Sequence, residues 1–249
     1  MTKILALDTS TENCSAALWI DATLMTRQVE TERGHAERIL PMIDELLAEA
    51  GITLTHLDAI AFGRGPGSFT GVRLGTTVTQ GLAFGSGLGV VPISDLQAVA
   101  QRVLDDDPTG GPGGPGDPTR ILVCNDARMS EVYWACYERA QDGLARLQGD
   151  EQVSKPSEVK LPPNWPTATP AGRGFLAYGE ALQAAVPNLA MSAKPPPGPL
   201  HYLPRAIEIA RLALPAVRAG QLLPAEEALP VYLRNNVAHV AQPPKPPQS

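Results

Sequence analysis

The sequence predicts an α/β protein built from two related lobes, and three observations carry that reading. An apolar strand, an Asp-bearing turn and a second strand open the chain at "ILALDTSTENCSAALW" (4–19), and the pattern recurs at "ILVCNDARMSEVYWACY" (121–137). Strand-like and helix-like segments alternate through the first hundred residues. A run of mostly Gly, Pro and Asp, "DDDPTGGPGGPGDPT" (105–119), separates the two repeats. A chain of 249 residues is long enough for two such lobes.

The elements follow in order. "ILAL" is short, apolar and β-prone, "DTSTEN" is turn chemistry, and "CSAALWI" reads as the second strand of a hairpin. From Gly34 the apolar residues Ile39, Leu40, Ile43, Leu46, Leu47 and Ala50 fall at helical spacing, and Gly51 suits the position past the helix end. Pro41 lies inside this helix and predicts a kink. "LDAIAF" is a strand. "SFTGVRLGTTVTQGLAFGSG" is a helix with Ser68 as its N-cap. "GVVPIS" is a strand and "DLQAVAQRVL" a helix. "LPRAIEIARLALPAVRAG" (203–220) is an amphipathic helix ending at Gly220. Residues 150–200 are proline-rich and weakly periodic, and "QPPKPPQS" cannot pack. The expected divisions are a first lobe over 1–104, a linker over 105–119, a second lobe over 120–238 and a disordered tail over 239–249. The 203–220 helix is a candidate to pack back on the first lobe.

Composition narrows the function. Hydrophobic residues make up 43% of the chain but aromatics only 5%, so Leu, Val, Ile and Ala fill the core. The net charge of −6 leaves no basic patch with which this chain alone could grip nucleic acid. Cys14, Cys124 and Cys136 are odd in number, far apart and each in a strand-like segment, which predicts buried, reduced thiols and a cytoplasmic setting. The apolar run before Asp8 is too short for a signal peptide, and no run reaches the roughly 18 residues of a membrane span.

The stretch "FGRGPGSFTGVRLG" (62–75) holds five glycines in fourteen residues. A P-loop would need Lys and then Ser or Thr after its last glycine, but Val72 follows Gly71. A dinucleotide fingerprint would need a third glycine that neither register supplies. A nucleophile elbow around Ser68 would need glycines where Pro66 and Thr70 stand. The four histidines show no metal-ligand spacing, so no metal and no cofactor are expected. Asp8, at a strand end before a Thr/Ser turn, sits where actin-like and sugar-kinase-like ATPases place a magnesium-linked carboxylate. It is therefore a candidate vestigial nucleotide-site residue, although Asp-Thr-Ser is also ordinary turn chemistry. Gly67, Gly71 and Gly75 line one ridge of a helix. Gly71, Gly75 and Gly81 cost that helix on the order of 3 kcal/mol. Close approach of another backbone would offset the cost, either this chain's own sheet or another subunit.

Six stretches together, "ILALDTSTENCSAALW", "HAERILPMIDELL", "AFGRGPGSFTGVRLG", "QGLAFG", "NDARMSEVYWA" and "PVYLRNNVA", resemble the TsaB family, also called YeaZ, of tRNA threonylcarbamoyladenosine biosynthesis proteins. The resemblance is dense over 3–104, good over 120–139 and 224–238, and weak between. It implies a duplicated actin-like (ASKHA, RNase H-like) fold. It implies no catalytic residues of the chain's own. The chain would be an accessory subunit required by its paralogue TsaD, which transfers threonylcarbamoyl from the adenylate made by TsaC to the adenosine 3′ of the anticodon, in tRNAs reading codons that begin with A. TsaE, an ATPase, is a further partner, tRNA is met indirectly, and a homodimer is implied when TsaD is absent. TsaD carries a His-Met-Glu-Gly-His metal motif, and its two ligand positions correspond here to Asp95 and Val99. Valine cannot bind a metal. The family pairs its two N-terminal helices with those of TsaD. Carried over, that interface comprises His35, Ile39, Ile43, Leu46, Leu47, Phe69, Gly71, Val72, Gly75, Val78 and Leu82. On that reading Gly71→Leu or Gly75→Leu blocks the complex and leaves the fold intact. The Gly/Pro-rich linker and the proline-rich tail depart from the family pattern. The rival readings are an actin-fold ATPase or kinase using Asp8, and a glycoprotease-like peptidase.

Overall fold

A computed structural model describes residues 1–21, 23–106, 119–190 and 198–234. Most of the predicted linker and the whole of the predicted tail lie outside these residues. The first sheet runs in the order β3-β2-β1-β4-β5. Its strands are β1 (Lys3–Asp8), β2 (Asn13–Ile20), β3 (Thr23–Glu30), β4 (Ala59–Gly63) and β5 (Gly89–Ile93). β1 to β3 form an antiparallel meander, and β4 and β5 run parallel to β1. The second sheet repeats this plan in the order β8-β7-β6-β9, with β6 (Arg120–Asp126), β7 (Val132–Arg139), β8 (Ala145–Ser154) and β9 (Thr169–Ala171). The resemblance of the two opening hairpins therefore reflects two mixed sheets of like topology.

Helices separate and cover the sheets because each β1 neighbour points alternately to two cores. Leu5 and Leu7 of β1 face α1 (His35–Ala50) and α2 (Phe69–Ser86), together with Ile39, Ile43 and Leu46. Ile4 and Ala6 face α5 (Ala206–Arg218) through Ala206, Ile209 and Ala213. α3 (Asp95–Asp105) packs Leu96, Val99 and Val103 against Ile121 and Val123 of the second sheet. α4 (Gly174–Ala185) covers that sheet's far face through Phe175 and Leu182. The molecule is thus layered: α1 and α2, first sheet, α5 and α3, second sheet, α4.

Several local expectations are met. Gly51 ends α1 in the left-handed region, at φ 65°. The Ser68 hydroxyl accepts the Gly71 N–H as the cap of α2, and all three cysteines are buried and free. α1 continues through Pro41. β3, unread from the sequence, is a half-exposed edge strand with little apolar alternation. The segment after α5, read from sequence as part of the second lobe, returns to the first: the Val90 N–H donates to Leu223 O, and the Gln80 side-chain amide donates to Ala228 O.

A half-buried ion pair ties the lobes. The Arg64 guanidinium, after β4, meets the Glu151 carboxylate on β8 at 3.0 Å, and Tyr137 Oη donates to the same carboxylate at 3.1 Å. Glu151→Ala removes the partner of Arg64 and leaves Tyr137 Oη only Ser94 Oγ at 3.4 Å, and is expected to cost about 2 kcal/mol, read as a lowered Tm, whereas Tyr137→Phe costs less.

Candidate functional site

The features singled out by sequence converge on the turn after β1. Thr9 and Ser10 are buried there, and three chain segments press against them. The Ser68 N–H donates to Ser10 O at 2.7 Å, and Thr9 Oγ1 donates to Gly71 O at 2.7 Å. The glycines of the 63–75 stretch make these approaches possible. A Cβ on Gly67 would stand 2.5 Å from Ser10 O, one on Gly71 would overlap Thr9 O, and one on Gly75 would stand 2.9 Å from Thr9 Oγ1. Gly65 holds φ 98°, a left-handed value that glycine tolerates.

The glycine ridge therefore packs against the chain's own turn. Leucine at Gly71 or Gly75, expected from sequence to spare the fold, would collide with that turn. Most of the other residues expected at the interface are turned inward as well. Ile39, Ile43, Leu46 and Leu47 are buried in the first core, and Val72 is buried beside Gly65. They form the inner stripe of α1 and α2, which the first sheet already occupies. His35 is half-buried, its Nε2 held 2.8 Å from Thr11 O. Val78 and Leu82 are half-buried at the core edge. Phe69 alone of the eleven is exposed. It stacks with the Arg73 guanidinium at 3.7 Å and lies 5.8 Å from the Tyr232 ring.

The outer face of the same two helices carries what the sequence reading passed over. Phe84 is 82% exposed, Leu40 of α1 is exposed, and Leu74 is half-exposed. Gly81 and Gly85 flank Phe84 on this face, and a Cβ at either would meet nothing within 4 Å. Their helical cost is not offset inside the chain. Period-3.6 spacing of Leu74, Gly81 and Gly85 was the available signal, masked by the stronger apolar stripe on the inner face.

Asp8 is buried, and its carboxyl faces Asp95, which is buried at the first turn of α3. A cleft of about 700 Å³ does open beside the turn, between the starts of α1 and α2, bounded by Thr9, His35, Ser68, Gly71 and Arg128. A smaller one of about 350 Å³ lies between the lobes, where Glu12, Asn125, Asp126, Arg128 and Arg173 meet. Among the described residues lining them, no nucleophile stands beside a base: Ser68 caps α2 and His35 Nε2 is engaged. ATP turnover by the isolated chain, if any, is therefore expected to be insensitive to Asp8→Asn, as a phosphate-release assay would show. Val99 is fully buried among aliphatic neighbours.

The family model for TsaD, described as tRNA N6-adenosine threonylcarbamoyltransferase, matches residues 28–193. The tRNA threonylcarbamoyladenosine biosynthesis protein TsaB of Escherichia coli K12 is 39% identical over 95% of this chain and 96% of its own length. The chain belongs to the TsaB (YeaZ) family. The TsaB of Haemophilus influenzae is 37% identical over 94% of both chains. The solved structure of YeaZ from Pseudomonas aeruginosa is 41% identical, covers 94% of this chain and all of its own, and superposes with a TM-score of 0.78. A second Pseudomonas aeruginosa structure, described as similar to peptidase YeaZ, superposes with a TM-score of 0.79. The likeness to TsaB spans residues 140–223 as well, where the sequence motifs alone were weak. Among the described residues no helix is long and apolar enough to cross a membrane.

Proposed function

We propose that this TsaB-family chain is the non-catalytic subunit of the cytoplasmic assembly that forms N6-threonylcarbamoyladenosine in tRNA. It binds TsaD and, with TsaE, supports transfer of the threonylcarbamoyl group from its adenylate. The two sheets of matching strand order are read as the duplicated actin-like fold that TsaB and TsaD share. The absence of a reaction centre is inferred from the positions that correspond to the TsaD metal ligands: Asp95 is buried and turned onto Asp8, and Val99 is core.

The observation that carries the docking reading is the outer face of α1 and α2. Leu40, Leu74 and Phe84 are uncovered there, and Gly81 and Gly85 leave room for another helix to approach closely. The docking surface is accordingly assigned to this face, with the half-buried Val78 and Leu82 at its margin. The same face serves a homodimer when TsaD is absent.

Reconstitution tests the function. TsaC, TsaD and TsaE with tRNA, threonine, bicarbonate and ATP are expected to form modified adenosine only when this chain is added. Equal product without it overturns the reading.

A further inference from the structure

Asp8 and Asp95 form the most unusual cluster in the molecule. Both are buried, and neither takes part in an ion pair among the described residues. Asp8 Oδ1 accepts the Ser10 N–H at 2.9 Å, and Asp95 Oδ2 accepts the Gly65 N–H at 2.7 Å. Asp8 Oδ2 and Asp95 Oδ1 have no geometric hydrogen-bond partner among the described residues, and the Ser10 hydroxyl lies against both carboxyls. The two carboxyls approach over the bare backbone of Gly63, where an added Cβ would stand 2.6 Å from Asp8 Oδ1 and would overlap Asp95 Oδ1.

We propose that Asp8 and Asp95 share one proton at neutral pH, and that this proton clasps the turn after β1 to the start of α3 and to the loop that leads into α2. Two buried carboxylates in contact repel strongly, and one proton turns that repulsion into a short hydrogen bond from acid to carboxylate. A divalent cation fits the site poorly. Magnesium or calcium needs six or more oxygen ligands, and the buried site offers Asp8 Oδ2, Asp95 Oδ1 and Ser10 Oγ.

The surrounding charges do not neutralise the pair. Cys14 on β2 feels the pair, and burial with the Asp8 charge pushes its thiol up to about 11. Arg38 on α1 acts on Cys14. Arg64 is spent on Glu151, Tyr137 on β7 donates to Glu151, and Arg205 on α5 is paired with Glu208. Burial raises both carboxyls, Asp8 to about 6, and Asp95 further because the Asp8 charge stands beside it. The titration belongs to the pair.

The clasp holds real structure. Gly65 and Asp95 exchange two backbone-centred bonds, N–H to Oδ2 and N–H to carbonyl, and Ser68 bonds Ser10. Removing the last proton leaves two charges in one buried space and strains all three segments. Because both folded values are raised, the stability the pair contributes is complete below the ordinary value of 3.8. It falls as pH rises through about 6, and again when the shared proton leaves. The clasp requires no partner and stands apart from the docking reading.

Carbon-13 NMR of aspartate side chains in the full chain tests this. One carboxyl of the pair is expected to remain protonated at neutral pH, and Asp95→Asn, whose amide donates as the acid did, is expected to abolish that signal. With rising pH the wild-type Tm is expected to fall by about 5 °C relative to Asp95→Asn. Amide exchange at Gly65 and Ser10 is expected to accelerate about tenfold relative to the variant. Both carboxyls ionised at neutral pH overturn the proposal, as does a wild-type Tm raised by added magnesium or calcium but unmoved in the variant. If Asp95→Asn does not fold, the wild-type titration decides alone.

Discussion

Gly71→Ala is expected to destabilise the chain by about 3 kcal/mol, enough to lower Tm by roughly 10 °C. Two effects oppose each other. Alanine improves helix propensity by about 1 kcal/mol, and the new methyl must displace its neighbours. At Gly71 the neighbours are the Thr9 carbonyl and the Ser68 hydroxyl, which caps the same helix. Thr9 cannot retreat freely, because its hydroxyl already donates to Gly71 O and Ser10 O receives Ser68 N–H. The steric term therefore wins. Gly81→Ala supplies the internal control. Nothing lies within 4 Å of its added Cβ, so only propensity acts, and stability is expected to rise by about 1 kcal/mol. Opposite signs at two glycines of one helix, read by thermal unfolding, are the specific outcome. A neutral Gly71→Ala would show that the turn after β1 does not need bare backbone.

Most of the fold was legible because its signals are local. The opening hairpin, the caps at Gly51 and Ser68 and the strand of residues 59–63 follow from spacing and turn chemistry that tertiary contacts do not override. β3 was not legible: as an edge strand it buries little and alternates weakly. β8 and β9 escaped for a related reason. β8 is mostly exposed, and β9 is three residues with Pro170 at its centre. Pairing with β7 and β6 makes them strands, and the partner of β9, β6, lies too far back along the chain to leave a mark in a local window.

The site was legible by location more than by face. The glycine-rich stretch and Asp8 were singled out, and both do meet at the turn after β1. What each does there depends on neighbours remote in sequence: Thr9 lies 62 residues before Gly71, and Asp95 stands at the far end of the same lobe. The residues selected on α1 and α2 turned inward for a physical reason. On a helix at a sheet, the most regular apolar stripe is the one that the chain itself buries, so periodicity selects the core first. The face we propose for docking is what remains apolar or small after the core is assigned.

That inversion fixes the second large prediction. Phe84→Asp and Gly85→Leu are expected to abolish co-elution with TsaD while leaving Tm nearly unchanged. Phe84 is so exposed that its replacement costs little within the chain, whereas a buried charge in a helix–helix contact costs an interface at least about 3 kcal/mol, roughly a hundredfold in Kd. Gly85→Leu places a large side chain where a partner backbone must come close, yet its Cβ meets no atom of its own chain within 4 Å. Ile43→Asp, on the inner face, is expected to behave in the opposite way: it unfolds the first lobe before any binding question arises. Modified-tRNA formation in the reconstituted system should fall in step with complex formation for the two outer-face variants. Folded Phe84→Asp or Gly85→Leu protein that still binds TsaD at wild-type affinity would move the interface off these helices. The two faces of one helix thus separate stability from assembly, which a single-residue scan of α2 can read directly.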